Sequence, residues 1–274
     1  MLENHRAQRV VVGIDGSPAA VDAALWAIDE ATDRDIPLRL VYVIDDQDRD
    51  TIDPQDQARR LATADTAIRY ALAAVESTER PVKIEVEILQ GRPVRTLREA
   101  ARSAAMLCIG ARGLRHSTRG TMGATAAALS VSAHCPVAIV RTHRPHRRRD
   151  RVVVVEVTDN AAGSAVLHHG LDEARRRNAP VRVLTPAPAY PEVEAQWERR
   201  LAEWRRCYPD LDIVSAGRHG GTMDYLTVHG ESVQLLVSGR DRPGGVAALV
   251  GAPGNAALRD TDCSILVCAT PHAL

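Results

Sequence analysis

The chain of 274 residues is predicted to be α/β, built of two doubly wound, five-stranded parallel-sheet domains in tandem. Three observations carry this reading. Short continuous apolar runs alternate with segments of helical period, the pattern of a parallel sheet covered on both faces. The same order of elements then begins again in the second half. No apolar run approaches the roughly 18 residues of a membrane span.

In the first half, "RVVVGID" (9–15), "IPLRLVYVI" (36–44), "VKIEVEIL" (82–89), "AAMLCIG" (104–110) and "CPVAIVR" (135–141) are bounded by turn residues and read as five strands. Right-handed crossovers join such strands. The first crossover, "SPAAVDAALWAIDEATDR", opens with Ser17 as cap and Pro18 in the first turn. It then sets Val21, Ala24, Leu25 and Ile28 on one helical face. Segments 54–79, 93–103 and 121–133 read as helices on the same grounds.

The second half answers the first. "RVVVVEVTDNAAGSAVLHHGLDEARRRNAPVRVL" (151–184) follows the plan of residues 9–43, with "DEA" in both helices, and "DCSILVCA" answers "HCPVAIVR". The expected domains are 1–143 and 151–274, joined by a basic linker at 144–150. Around that linker, "RTHRPHRRRDR" holds six arginines in eleven residues. It has no aromatic residue for base stacking, so it reads as a solvated linker rather than a nucleic-acid contact.

Composition narrows the function classes. Lys+Arg and Asp+Glu both number 35, for a formal charge of zero. That gives no global electrostatic case for nucleic acid or an acidic membrane. Five cysteines without CxxC spacing read as reduced thiols of a cytoplasmic protein. The adjacent His168 and His169 point about 100° apart on a helix and make a poor chelate, and no metal site is expected. Asp15, Asp45 and Asp46 stand at strand ends where a general base or a magnesium ligand could sit. No nucleophile and base accompany them, so a solvated turn is the plainer reading.

One stretch asks for a ligand. "IGARGLRHSTRGTMGATAAAL" (109–129) leads from a strand into a helix through glycines 110, 113, 120 and 123. It fits neither GxxxxGK[ST] nor GxGxxG, and the chain's only lysine, Lys83, lies elsewhere. In a doubly wound sheet, ligands sit beyond the carboxyl ends of the strands, at the switch point. Glycines there let backbone approach a ligand, and the N–H groups of the next helix attract anionic oxygens. A phosphate-bearing ligand is the natural guest; the competing reading is that the glycines only turn the chain.

The spacing Gly110-x2-Gly113-x9-Gly123 resembles the ATP-binding branch of the universal stress protein family. "VVVGIDGSPAA", "LRLVYVID" and "AHCPVAIVR" resemble that family's first strand and acidic turn, second strand, and closing helix and strand. The likeness covers nearly all of the first copy and, more faintly, the second. It implies an adenine-nucleotide alpha-hydrolase-like fold, ATP as ligand with or without Mg, and a homodimer of tandem chains acting on an unidentified protein partner. By position, it implies that Gly13, Ile14 and Asp15 meet the nucleoside and Val43 the adenine. Gly110, Arg112 and Gly113 would wrap the ribose and phosphates, and Gly123 would open the phosphate-holding helix. Where the family has Ser or Thr after that glycine, this chain has Ala124. Thr125 or Thr121 could supply the hydroxyl instead.

In the second copy Asp15 falls on Thr158, and the partner of Gly113 is Arg242. The loop keeps glycines 244, 245, 251 and 254 without the required spacing. An arginine there would take the space of a phosphate or ribose, so this copy is expected to lack a standard site. The expected function is that of an ATP-binding regulatory stress-response protein, not an enzyme. A ligand-free tandem scaffold is the alternative, and a slow ATPase the less favoured one.

Overall fold

The computed structural model describes residues 8–46, 53–114, 122–143, 151–159, 161–185, 191–216 and 221–269. They fall into two compact units, one within 8–143 and one within 151–269. The linker expected at 144–150, and Thr121, lie outside the described residues.

Unit 1 runs β1 (Val10–Ile14), α1 (Pro18–Asp33), β2 (Leu38–Ile44), α2 (Pro54–Glu76), β3 (Ile84–Gln90), α3 (Pro93–Ala100), β4 (Met106–Gly110), α4 (Ala124–Ser132) and β5 (Val137–Val140). Its strands lie in the order β3-β2-β1-β4-β5, every pair parallel. The inner strands are the most apolar in sequence because both their faces are covered: Val10, Val11 and Val12, and Leu107 and Cys108, are all fully buried. The outermost strand β3 is half-buried. Arg39 on β2 reaches across to Glu85 and Glu87 on β3, at 3.0 Å each.

Helix α1 starts where Ser17 takes the N–H of Ala20 at 3.2 Å, with Pro18 in the first turn. Its buried set is wider than the periodicity predicts. Ala20, Ala23, Trp26, Ala27 and Ala31 join Val21, Ala24 and Ile28, while Leu25 is only half-buried. The helix packs against β1, β4 and α2 together, so alanines on two sides let it sit close and the longer Leu25 turns partly outward. Glu30 is buried as well, paired with Arg34 one turn on. In α2 the residues Ala64, Ala67, Ile68, Ala71 and Val75 form a single stripe, as a helix covered on one face should.

Unit 2 repeats the plan: β6 (Val152–Glu156), α5 (Ala161–Arg177), β7 (Val181–Leu184), α6 (Pro191–Cys207), β8 (Ile213–Ser215), α7 (Thr222–His229), β9 (Val233–Gly239), α8 (Gly245–Val250), α9 (Ala252–Ala257) and β10 (Ser264–Cys268). Its order is β8-β7-β6-β9-β10, again all parallel. It differs where α4 stands in unit 1, having two six-residue helices there. Cys108, Cys135, Cys263 and Cys268 are buried and Cys207 is exposed, none of them in a disulfide. Among the described residues no helix is long and apolar enough to cross a membrane.

Candidate functional site

The site lies at the carboxyl end of the unit 1 sheet, where β1 has β2 on one side and β4 on the other and the crossovers leave on opposite faces. After β1 the chain turns at Gly16, whose φ of +84° is a conformation glycine adopts without strain. This turn brings Ser17 back onto Asp15: the backbone N–H and the hydroxyl of Ser17 donate to Asp15 Oδ1 at 2.9 and 2.6 Å. The other carboxylate oxygen accepts the N–H of Leu114 at 3.2 Å, and the Ser17 hydroxyl also lies 3.3 Å from the Arg112 carbonyl oxygen. One carboxylate therefore fastens the loop after β1 to the loop after β4. The Ser17 hydroxyl is thereby held as a cap.

The three spaced glycines do different jobs. A Cβ on Gly110 would come within 2.6–2.8 Å of the backbone of Ala19 and Ala20, so this glycine is where β4 meets the start of α1. A Cβ on Gly113 would lie 2.7 Å from Asp15 Oδ2, so this one leaves room for the carboxylate. Among the described residues, a Cβ on Gly123 would meet nothing nearer than 3.7 Å. The packing does not demand glycine there.

Gly123 is the N-cap of α4, and among the described residues no side chain caps that helix. The N–H groups of its first turn therefore keep their hydrogen-bonding capacity, with the positive end of the helix dipole behind them. They open on a cavity of about 430 Å³ whose lining includes Gly13, Ile14, Asp15, Val43, Gly110, Arg112, Gly113, Gly123, Ala124 and Thr125. All ten residues picked out from the sequence thus meet at one cavity. Arg112 is the one cation among its described lining residues, while Asp15 and Asp45 are the carboxylates available to a hydroxyl or to a metal accompanying phosphate. Sequence reasoning does not single out Tyr42, Pro93 or Leu97, which also line it. Tyr42 could have been found as the neighbour of Val43 at the end of β2. Burial, and then the nearby Asp15 charge, push its hydroxyl up from the ordinary value, so it is a neutral hydrogen-bonding group at physiological pH.

A larger cleft of about 710 Å³ lies along the other flank of α3. Its walls are mainly charged residues of both signs, Arg9, Arg39, Arg92, Arg95, Glu87 and Glu99 among them, and the Arg39 guanidinium is already bound to Glu85 and Glu87. Helix α3 starts at its edge, likewise without a side-chain cap, but its first residue is Pro93, which offers no N–H. The smaller cavity is the better formed ligand site.

The sequence model of the Universal stress protein family matches residues 6–141. A universal stress protein of Mycobacterium tuberculosis is 46% identical over 273 residues, covering 97% of this chain and 98% of the relative. A second from the same organism is 40% identical over 261 residues, covering 94% and 95%. Among solved structures, a universal stress protein from Archaeoglobus fulgidus superposes with a TM-score of 0.74 over 97% of each chain, at 13% identity. That likeness is one of fold.

Proposed function

The chain belongs to the universal stress protein family, and on that premise we propose that unit 1 binds one ATP, with or without Mg, as a regulatory ligand. The observation that carries this reading is Gly123. It is a glycine the packing does not require, at the uncapped start of a nine-residue helix, on the wall of a cavity at the switch point. Phosphates would take the N–H groups of α4 and the Arg112 guanidinium. The ribose would meet the Asp15 side of the cavity, and the base the end of β2 near Val43. The role is binding without turnover: phosphate release by the chain should be no faster than by Asp15→Ala.

Ala124 favours a second reading, in which the tandem chain is a ligand-free scaffold for protein contacts. A hydroxyl on a phosphate contributes about 1.5–3 kcal/mol as a charge-assisted bond, and Ala124 has none to give. The two readings separate on Ala124→Ser. Under the first, calorimetry should show ATP binding up to about tenfold tighter, near the lower end of that bond's contribution because Thr125 and water already compensate. Adenosine, with no phosphate, should gain far less. If neither ATP nor adenosine binds either chain, the scaffold reading replaces the first.

A further inference from the structure

The counterpart of the unit 1 cavity can be located in unit 2 by register. Gly13 pairs with Ile109 across β1 and β4; Glu156 pairs with Ser238 across β6 and β9. Pro93 is the first residue of α3, and Thr222 the first of α7. Gly113 lies three residues past the end of β4, and Arg242 three past the end of β9. Gly13, Pro93, Ile109 and Gly113 all line the unit 1 cavity. Their counterparts Glu156, Thr222, Ser238 and Arg242 are bound to one another.

The Arg242 side chain grips the Glu156 carboxylate with two nitrogens, Nε to Oε2 at 2.7 Å and Nη2 to Oε1 at 3.1 Å. Thr222 Oγ1 donates to Oε1 at 2.6 Å and Ser238 Oγ to Oε2 at 2.7 Å. The remaining guanidinium nitrogen, Nη1, donates to the Gly245 carbonyl oxygen at 2.9 Å. That carbonyl is brought round by Gly244 and Gly245, at φ +79° and +67°, a turn that glycine makes without strain. The side chains of Glu156 and Arg242 are 0% and 6% exposed. Burial raises the Glu156 carboxyl, but the bonds and charge of Arg242, with the bonds from Thr222 and Ser238, outweigh it and leave it lowered. It is an ionised, fully bonded pair.

We propose that unit 2 carries its own occupant: the Glu156–Arg242 pair fills, from within the chain, the place that the cavity holds in unit 1, and so fixes the chain at one nucleotide rather than two. The filling stands on the contacts above; only the nucleotide count rests on the reading of unit 1. A glycine-to-glutamate and a glycine-to-arginine difference at facing positions supply both an anion and the cation that neutralises it. A carboxylate buried alone would be costly, and the fork of arginine matches it in shape as well as charge.

The test is thermal unfolding of the full chain, without nucleotide, as wild type, Arg242→Ala and Glu156→Ala/Arg242→Ala. Arg242→Ala leaves a buried carboxylate facing a hole and should lower Tm by about 10 °C. Millimolar ethylguanidinium, which has the shape of the deleted group, should restore at least half of that loss, and ethylammonium, which lacks the fork, should not. The double variant should be more stable than Arg242→Ala and indifferent to either cation. An Arg242→Ala chain that ignores ethylguanidinium, with a double variant less stable than the single, overturns the filling. The count is read separately, by photolabelling wild type with an azido-substituted adenine nucleotide and mapping the peptides. Label confined to unit 1 is expected. A labelled peptide from β6 or from the loop after β9 overturns the closure, whereas a chain with no label anywhere overturns the reading of unit 1 and leaves the pair to the thermal result.

Discussion

Replacing Gly113 by arginine, the residue unit 2 carries at the matching place, is expected to weaken ATP binding by at least a hundredfold while unit 1 stays folded. The first added carbon would lie 2.7 Å from Asp15 Oδ2. A carboxylate can swing away from it, but only by giving up the Leu114 N–H and the geometry that ties the two loops together. The rest of the side chain then has the cavity as the space open to it, and no carboxylate stands where Glu156 stands in unit 2, because Gly13 occupies that position. Loss of one charge-assisted bond together with steric exclusion of the ligand amounts to about 3 kcal/mol or more. Calorimetry on Gly113→Arg checks the affinity, and circular dichroism checks that the fold persists. Undiminished ATP affinity would show that the ligand does not pass between Asp15 and the loop after β4.

The neighbouring glycine should behave in the opposite way. Gly110→Val is expected to destabilise unit 1 by about 3 kcal/mol or more, at the upper end of what overpacking costs. The clash is with backbone atoms of Ala19 and Ala20 at 2.6–2.8 Å, and backbone cannot rotate aside as a side chain does. Relief requires α1 to move off β4, which would expose the Ala20, Ala23, Ala24 and Ala27 side of that helix. Urea denaturation measures this directly. Gly123→Ala is the control: its Cβ would be in ordinary contact, so stability should change by less than about 1 kcal/mol while ATP affinity falls. Equal destabilisation by the changes at 110 and 123 would mean that both glycines serve packing alone.

This contrast shows how far the sequence could be read. The strands were legible because burial on both faces leaves continuous apolar runs such as "RVVVGI" and "MLCIG", and α1 was legible from Ser17, Pro18 and its period. The loop spacing and Asp15 point to residues that line one cavity in unit 1. Spacing, however, treats Gly110, Gly113 and Gly123 alike, since what distinguishes them is the atom each would strike, and those atoms lie on α1 or on Asp15, far away in the chain. Glu156 is hidden in the sequence for the same reason. Within "VVVVEVT" it looks like the end of a strand, and its four bonds come from residues 66 to 86 positions away. Arg242 reads in the sequence as an obstruction alone, because its partner Glu156 lies 86 positions away. Leu25, which the period sets on the buried face, is only half-buried because this alanine-rich helix buries more than one side.

The most direct measurement of the central claim is calorimetric titration of the full chain with ATP, beside the same titration of Asp15→Ala. Asp15 holds both loops that frame the cavity, so its loss should loosen the site without opening the core. The account predicts one ATP per chain, adenosine bound more weakly than ATP, and a loss of affinity of tenfold or more in Asp15→Ala. No binding by the wild-type chain, two equivalent sites per chain, or equal affinity in the folded Asp15→Ala chain would contradict it.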